Sequence, residues 1–489
     1  MKKTLAISLI VAACIIVALV VYLRVTSPAG IAAAVSPADD RDFFPAVHSL
    51  ITSAERSVDV VLYQSRFYFH YPASKSNAMI ADLIDASERG ADVRVLIERA
   101  DWNLDNTEEN RDVAQVLDRS GVEVYFDPPG TTSHTKLVIV DGRYTVVGST
   151  NWSHYALDRN NEANVVIDSE GVARAFTEYL EGIIQVSERE YTSPIEPIPA
   201  ERFLESSGRY VLIKDRCDSA SYDPESQTGY IFFDGLKAAV RERPLEEILV
   251  LEPLFFREAQ GETVRVMGRI NLEGDVDMYA LDVESEGVSE AIAIALEREK
   301  EDLKAAVFEE AALERMDGAR VRPIPNRLYA PELKKLIDGA ADRIWIAMAD
   351  ARYYESTPRA ASKTKEPGEI PSLTNMVLAE LVEAAVDGID VRLVCDMGWS
   401  GNPPSDRVTF MRKLASAGGK VYEDSPDATT HAKLAIVDDV FVVVGSTNWS
   451  YHALEESNES AVIVESADLN EHYAAYIEAL IEAGRPFEE

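Results

Sequence analysis

The chain has 489 residues, 46% of them hydrophobic, which is enough for two or three folded domains, and a formal net charge of −36. Its densest basic spots, Lys334-Lys335 and Lys363 to Lys365, are short, so it lacks the broad basic surface with which a general DNA- or RNA-binding protein neutralises phosphates. A small positive pocket is compatible with this balance, as is a salty environment in which hydrated carboxylates maintain solubility.

Lys2 and Lys3 precede an almost unbroken apolar run from Leu5 to Leu23, closed by Arg24. A run of roughly 18 or more apolar residues predicts a membrane-spanning helix. The two lysines hold its start in the cytoplasm and direct everything after Arg24 to the outer side of the cell membrane. Ala32-Ala33-Ala34 offers the alternative of a cleaved signal and a secreted protein. Residues 1–38 are thus read as anchor and linker, 39–195 as a first folded unit, 196–325 as an insert and 326–489 as a second unit.

The first unit predicts a helix from Phe43 and an apolar strand over Val58 to Leu62. A helix from Asn77, a strand over Val93 to Ile97, a helix ending near Asp118 and a strand up to Phe126 follow. Strands alternating with amphipathic helices predict an α/β sandwich around a buried sheet. The second unit repeats that order with Ile344 to Met348, Asn375 to Asp387, Val391 to Cys395 and Val421 to Glu423. Between them, Tyr210 to Ile213, Ile248 to Leu251, Glu262 to Ile270 and Asp275 to Val283 predict a small antiparallel β module. A charged helix over roughly Val288 to Met316 follows, read as bracing the two units. Cys217 and Cys395 are read as unpaired thiols.

The chemistry sits in a duplicated pattern. His134, Lys136, Asp141, Ser149 and Asn151 recur as His431, Lys433, Asp438, Ser446 and Asn448 at a constant offset of 297 residues, and Glu162 and Glu459 each follow their histidine by 28. Residues two apart share a face of a strand, so each His-x-Lys projects together. Asp141-Gly142 marks a hairpin turn that brings Ser149 and Asn151 back to the same patch. A phosphodiester resists nucleophiles until its charge is neutralised. The lysines supply that charge, and Ser149, Asn151, Ser446 and Asn448 are read as donors to the non-bridging oxygens. One imidazole attacks and the other protonates the leaving alkoxide. Glu162 and Glu459 are read as each accepting the second N–H of the histidine in their own unit, while Asp141 and Asp438 fall at turns and are read as structural. One histidine cannot play both parts, so the two units are expected to face each other across a pseudo-twofold axis with one shared site. No cofactor or metal is called for, because lysines stand where a carboxylate cluster would hold a cation.

At these residues the chain resembles the phospholipase D superfamily, whose signature is this HKD motif; the resemblance covers both units but neither the leader nor the insert. It implies two duplicated α-β-α sandwich lobes, a phosphohistidine intermediate and a metal-independent reaction. Two substrate classes follow. The first is a phospholipid, cleaved or exchanged at its head group by a membrane-anchored monomer with an internal pseudo-dimer. The second is a nucleic acid, for which Asn-Trp-Ser after each motif resembles the nuclease branch. A catalytically inactive binding protein is the alternative from a different class.

Overall fold

The structure is a computed structural model that describes residues 30–68, 74–100, 102–128, 130–189, 210–223, 228–233, 236–240, 256, 258–270, 276–283, 306, 308, 311, 313–355, 372–398 and 403–488. The first lobe begins with strand β1 (Ile31–Pro37) and helix α1 (Phe43–Thr52). It continues through β2 (Ser57–Leu62), α2 (Lys75–Glu88), β3 (Asp92–Ile97), α3 (Leu104–Arg119) and β4 (Glu123–Phe126). The hairpin β5 (Lys136–Val140) and β6 (Tyr144–Gly148), the short α4 (His154–Asp158), β7 (Asn164–Asp168) and α5 (Glu170–Ile184) complete it.

An insert follows, with β8 (Tyr210–Arg216), β9 (Ser219–Asp223), β10 (Thr228–Phe233), β11 (Leu236–Val240), β12 (Thr263–Ile270) and β13 (Val276–Val283). The second lobe repeats the first: β14 (Met316–Pro323), α6 (Tyr329–Asp338), β15 (Arg343–Met348), α7 (Leu373–Val386), β16 (Asp390–Cys395), α8 (Ser405–Ser416) and β17 (Lys420–Glu423). Then come β18 (Lys433–Val437), β19 (Phe441–Gly445), α9 (Tyr451–Glu455), β20 (Ala461–Glu465), α10 (Ala467–Ala483) and β21 (Arg485–Pro486).

The lobes form one fifteen-stranded sheet in the order β21-β17-β16-β15-β18-β19-β20-β14-β1-β7-β6-β5-β2-β3-β4. Apart from β21, that order reads the same from either end in equivalent strands, which is the pseudo-twofold expected from the duplication. The axis passes between β1 and β14, which pair antiparallel from Ile31 opposite Val321 to Val35 opposite Met316. Helices α1, α2 and α3 cover one face of the first lobe, and α6, α7 and α8 cover the corresponding face of the second. Helices α5 and α10 bury Phe176, Leu180, Tyr473 and Ile477 in a core that draws residues from both lobes, so neither lobe has a complete inner face without the other.

Two expectations need correction. The Ala-rich stretch read as linker is in part β1, hydrogen-bonded to β14 on one side and β7 on the other. Its alanines have little strand propensity, but small side chains suit a strand against which both α5 and α10 pack. Cleavage within Ala32-Ala33-Ala34 would cut the strand that joins the lobes. The charged helix read to Met316 ends in the wrong state, because Met316–Pro323 is β14. Ahead of it, Phe308, Ala311 and Leu313 pack on the first lobe's core, so each lobe begins earlier than residues 39 and 326. The apolar run Leu5 to Leu23, most of the predicted helix, the Ile248 to Leu251 run and the basic spot Lys363 to Lys365 lie outside the described residues. No helix among the described residues is long and apolar enough to cross a membrane. Cys217 and Cys395 are both buried and free.

The insert contains the predicted β8, β12 and β13, and three further strands. Its sheet order is β8-β12-β13-β11-β10-β9. Only Cys217 and Asp218 separate β8 from β9, yet these two strands occupy opposite ends of that order. One bent strand therefore closes the sheet into a barrel around Ile213, Ile231, Phe233, Val264, Val266 and Val276.

Candidate active site

The site forms where the HKD hairpins of the two lobes meet. The turn of each hairpin is fixed by its aspartate. Asp141, at φ 54°, accepts the backbone N–H groups of Glu55, Arg56 and Ser57, tying the turn to the start of β2. Burial pushes its pKa up, but these N–H groups outweigh burial and hold it below the ordinary value. Asp438, at φ 49°, accepts from Ala341, Asp342 and Arg343 in the same way. Both motif aspartates are structural anchors far from the imidazoles along their hairpins.

Backbone bonds then splice the two halves. His134 N–H donates to Asn458 O at 2.9 Å, and His431 N–H donates to Asn161 O at 2.9 Å. Asn458 N–H returns a bond to Thr132 O, and Asn161 N–H returns one to Thr429 O. Each histidine is therefore positioned by the chain that carries the other half's glutamate.

The side chains are crossed as well. His134 Nδ1 lies 3.2 Å from Glu459 Oε2, and His431 Nδ1 lies 2.9 Å from Glu162 Oε2. Pairing within one unit, as read from the sequence, is wrong. Equal spacing in sequence does not reveal which of two equivalent carboxylates a strand end faces, and the backbone splice turns each toward its neighbour. The serines also differ from expectation. Ser149 Oγ donates to Glu162 Oε2 at 2.5 Å, Ser446 Oγ donates to Glu459 Oε2, and both serines are fully buried. Their hydroxyls hold carboxylates rather than face a substrate. Lys136 Nζ donates to His134 O at 2.7 Å and Lys433 Nζ to His431 O at 2.6 Å. Asn151 and Asn448 each have a buried side-chain oxygen without a hydrogen-bond partner.

The charges are unequal. Both oxygens of Glu162 are engaged, by His431, Ser149 and the Asn160 amide. Burial pushes its pKa up, but the charge and hydrogen bond of His431 hold it below the usual carboxylate value. Glu459 uses only Oε2; its Oε1 is buried without a partner, and burial pushes its pKa up to about 8. Burial thus favours the protonated form of Glu459, whose Oε2 accepts from Ser446 Oγ and lies against His134 Nδ1. Burial, then Lys136, Lys433 and His431, holds His134 well below the ordinary imidazole value. His431 is lowered by burial, against the charge of Glu162. Burial also lowers Lys433 to about 8, and burial with the charge of Lys433 holds Lys136 well below the ordinary ammonium value.

Sequence reasoning missed Tyr63. Its ring meets His134 edge to face at 4.6 Å, and Lys136 Nζ sits 4.6 Å over it. Burial and the charge of Glu98 push its phenol up to about 12, so it stays neutral. The only signal was a mismatch, since Ala349 occupies the equivalent place after β15. Beneath the site, Glu98 and Asp127 both accept Ser133 N–H, and burial raises both carboxyls. Trp152 and Trp449, which follow the motif asparagines, are fully buried, whereas Trp102 is 59% exposed and donates Nε1–H to Thr132 Oγ1 at 2.9 Å. His154 and His452 pair with Asp158 and Glu456 one turn along their own helices.

Fold and site together describe a duplicated α/β protein whose halves complete each other's histidine–carboxylate pairs. The family model described as "Cardiolipin synthase, PLD-like domain" matches residues 47–184 and 333–481, and the chain belongs to the phospholipase D superfamily. Phospholipase D of Rickettsia bellii (strain RML369-C) is 29% identical over 109 residues, 22% of this chain and 52% of that protein. Mitochondrial cardiolipin hydrolase of Xenopus laevis is 30% identical over 98 residues, 20% of this chain and 45% of that protein. The chain thus spans about half the length of these curated relatives. The crystal structure of phosphatidylserine synthase from Haemophilus influenzae Rd KW20 is similar in fold, with TM-score 0.51, 12% identity, and coverage of 93% of this chain and 87% of that one.

Proposed function

We propose that the protein is a metal-independent phosphodiesterase working through a phosphohistidine, with phospholipid head groups as its substrate. In this reading the segment from Leu5 to Leu23 anchors it in the cell membrane, with the catalytic part on the outer side, where tethering raises the effective lipid concentration without a basic surface. The crossed pairs His134–Glu459 and His431–Glu162 support the reading most, because they set two imidazoles in one cleft with carboxyls whose pKa values burial and hydrogen bonding move in opposite directions.

His134 is the nucleophile: neutral, with Nδ1–H on Glu459, it attacks phosphorus through Nε2. A P–N bond forms and the P–O bond to the leaving group breaks. His431, whose imidazolium the ionised Glu162 stabilises, passes its Nε2 proton to the departing alkoxide. Water, or an alcohol in a transfer reaction, then gives a proton to His431 and attacks phosphorus, breaking the P–N bond. Lys136 and Lys433 supply positive charge to the non-bridging oxygens, and the Asn151 and Asn448 amides donate hydrogen bonds to them, as phosphorus becomes five-coordinate.

The names of the Rickettsia bellii and Xenopus laevis relatives point to lipid phosphodiesters. A nuclease is the second reading, favoured by the barrel of the insert. The test supplies the purified protein, in EDTA, with phosphatidylcholine, phosphatidylglycerol and single-stranded DNA. Choline release or cardiolipin formation supports the lipid reading, and DNA nicking without lipid turnover replaces it. With a p-nitrophenyl phosphodiester, whose leaving group needs no proton, His431→Asn should still form a phosphoenzyme and His134→Asn should form none. The opposite result reverses the two roles.

A further inference from the structure

The insert lies outside the family match, and its barrel has a recognisable topology. Counting β8 and β9 as one bent strand, the described strands run in the closed order first-second-third-fifth-fourth-first. The contact between third and fifth, β11 and β13, is parallel, and the other contacts are antiparallel. This is the five-stranded barrel whose second and third strands commonly present a surface to oligonucleotides or oligosaccharides. Fold alone assigns no ligand, so the side chains on that surface decide.

In this protein the second and third strands are β10 and β11. Ile231, Phe233 and Ala238 point into the barrel. Tyr230 and Phe232 alternate with them and are only partly buried. Strands normally turn their larger apolar residues inward, so two neighbouring aromatic rings on the outer face call for an explanation. The rings lie 6.3 Å apart at 29°, close to parallel. Lys237, opposite Phe232 in the register, places Nζ 4.5 Å over the Tyr230 ring. Ser219 and Ser221 stand beside Phe232 and Tyr230 on β9. Two flat rings one same-face step apart, with a cation and hydroxyls alongside, suit successive unpaired bases joined by a phosphate. A bare hydrocarbon surface would need neither the lysine nor the serines.

The geometry points to the outer face of β10 and β11 as a binding site for single-stranded nucleic acid, held by stacking on Tyr230 and Phe232 with Lys237 on the intervening phosphate. Stacking tolerates any base, because every base has a π-face, and Lys237 supplies a local positive charge beside the rings on a chain whose net charge is −36. The barrel also touches the catalytic lobe, since β13 packs against α3. Asn103 and Asn106, at the start of α3, hydrogen-bond Tyr63 in the catalytic cleft. The site is independent of which phosphodiester the cleft turns over.

The test uses the full chain carrying His134→Asn, so that any cleavage is blocked, and follows a fluorescent oligothymidylate by anisotropy. Tyr230→Ala with Phe232→Ala should weaken binding by about tenfold or more, with an unchanged thermal midpoint showing that the barrel remains folded. Lys237→Glu should weaken it several-fold. A duplex of the same length should bind at least about tenfold less well, because its bases are already stacked. The salt dependence should be shallow, about −0.7 in log–log slope per neutralised phosphate. The proposal is overturned if the parent binds no oligonucleotide, or if the aromatic double variant binds it equally well. It is also overturned if the double variant loses phosphatidylglycerol vesicles while keeping DNA, which would assign the face to lipid.

Discussion

The two lobes share one strand order and one hydrogen-bond scheme, and differ in charge. Each lobe splices its histidine to the other through the same pair of backbone bonds. Each places a serine on its glutamate and a lysine on its histidine carbonyl. Around that common frame the substitutions are unlike. Tyr63 lies against His134, where the other lobe has Ala349. The second lobe sets Arg407 between Asp350 and Asp396; the first has Asn110 in that place, donating to backbone carbonyls, beside Gln64 and Glu98. Glu162 is held below the usual carboxylate range, whereas Glu459 is pushed to about 8. Each half completes the other, so the frame tolerates little change. A reaction that needs an attacking base and a proton donor favours unlike surroundings for the two rings.

The largest expected effect breaks this comparison directly. Glu162→Gln removes the charge that supports the His431 imidazolium and should lower kcat by about 10²–10⁴-fold at pH 7. Glu459→Gln replaces a carboxyl whose burial favours the protonated form. Its amide can keep an oxygen toward Ser446 and His134 and put NH2 where Oε1 stands unpartnered, so kcat should stay within about tenfold. Equal losses in the two variants would mean the halves are electrostatically alike.

Next in size is stability. Arg407→Met takes the guanidinium from Asp396 and leaves Asp350 with Arg352 alone, and should cost about 3 kcal/mol by urea unfolding. Asn110→Leu, the matching change in the first lobe, loses neutral hydrogen bonds and should cost about 1–3 kcal/mol. Tyr63→Ala makes the first lobe resemble the second. Losing a ring that contacts both His134 and Lys136 should reduce kcat/KM about three- to thirtyfold, read with the same p-nitrophenyl substrate.

The duplication, the catalytic residue types and the layered α/β fold were legible because periodicity and spacing are local. His-x-Lys on a strand face and Asp141 at a turn need only a period of two and a left-handed backbone position. The crossed glutamates were not legible, since that choice depends on how lobes separated by some 300 positions dock. The serines misled for a related reason: a hydroxyl in a polar cluster suits a phosphate or a carboxylate equally well, and only burial decides. β1 was hidden by its composition, because flanking strands and overlying helices, rather than propensity, make Ala32 to Ala34 extended. The barrel was legible only as scattered alternation, because its closure depends on β8 and β9 pairing at opposite ends of the sheet.

The smallest effect concerns the residue that starts each catalytic frame. Asp40, at φ 49°, accepts Glu162 N–H at 2.7 Å and the Tyr476 hydroxyl at 2.9 Å. Asn326, at φ 51°, accepts Glu459 N–H at 2.7 Å and the Tyr179 hydroxyl at 3.2 Å. The geometry is the same and only the first residue titrates. Burial pushes the Asp40 pKa from 3.8 up to about 6. The folded state therefore keeps a proton that the unfolded chain has released, and stability falls as pH rises from about 4 through 6. Asp40→Asn leaves an oxygen for both donors, as Asn326 does, and removes that penalty. The variant should match the parent below about pH 4 and be more stable above pH 6 by on the order of 1–2 kcal/mol, measured by urea unfolding across that range. A gain that is the same at every pH would mean that Asp40 does not titrate on unfolding, and that the lobes differ here in residue name alone.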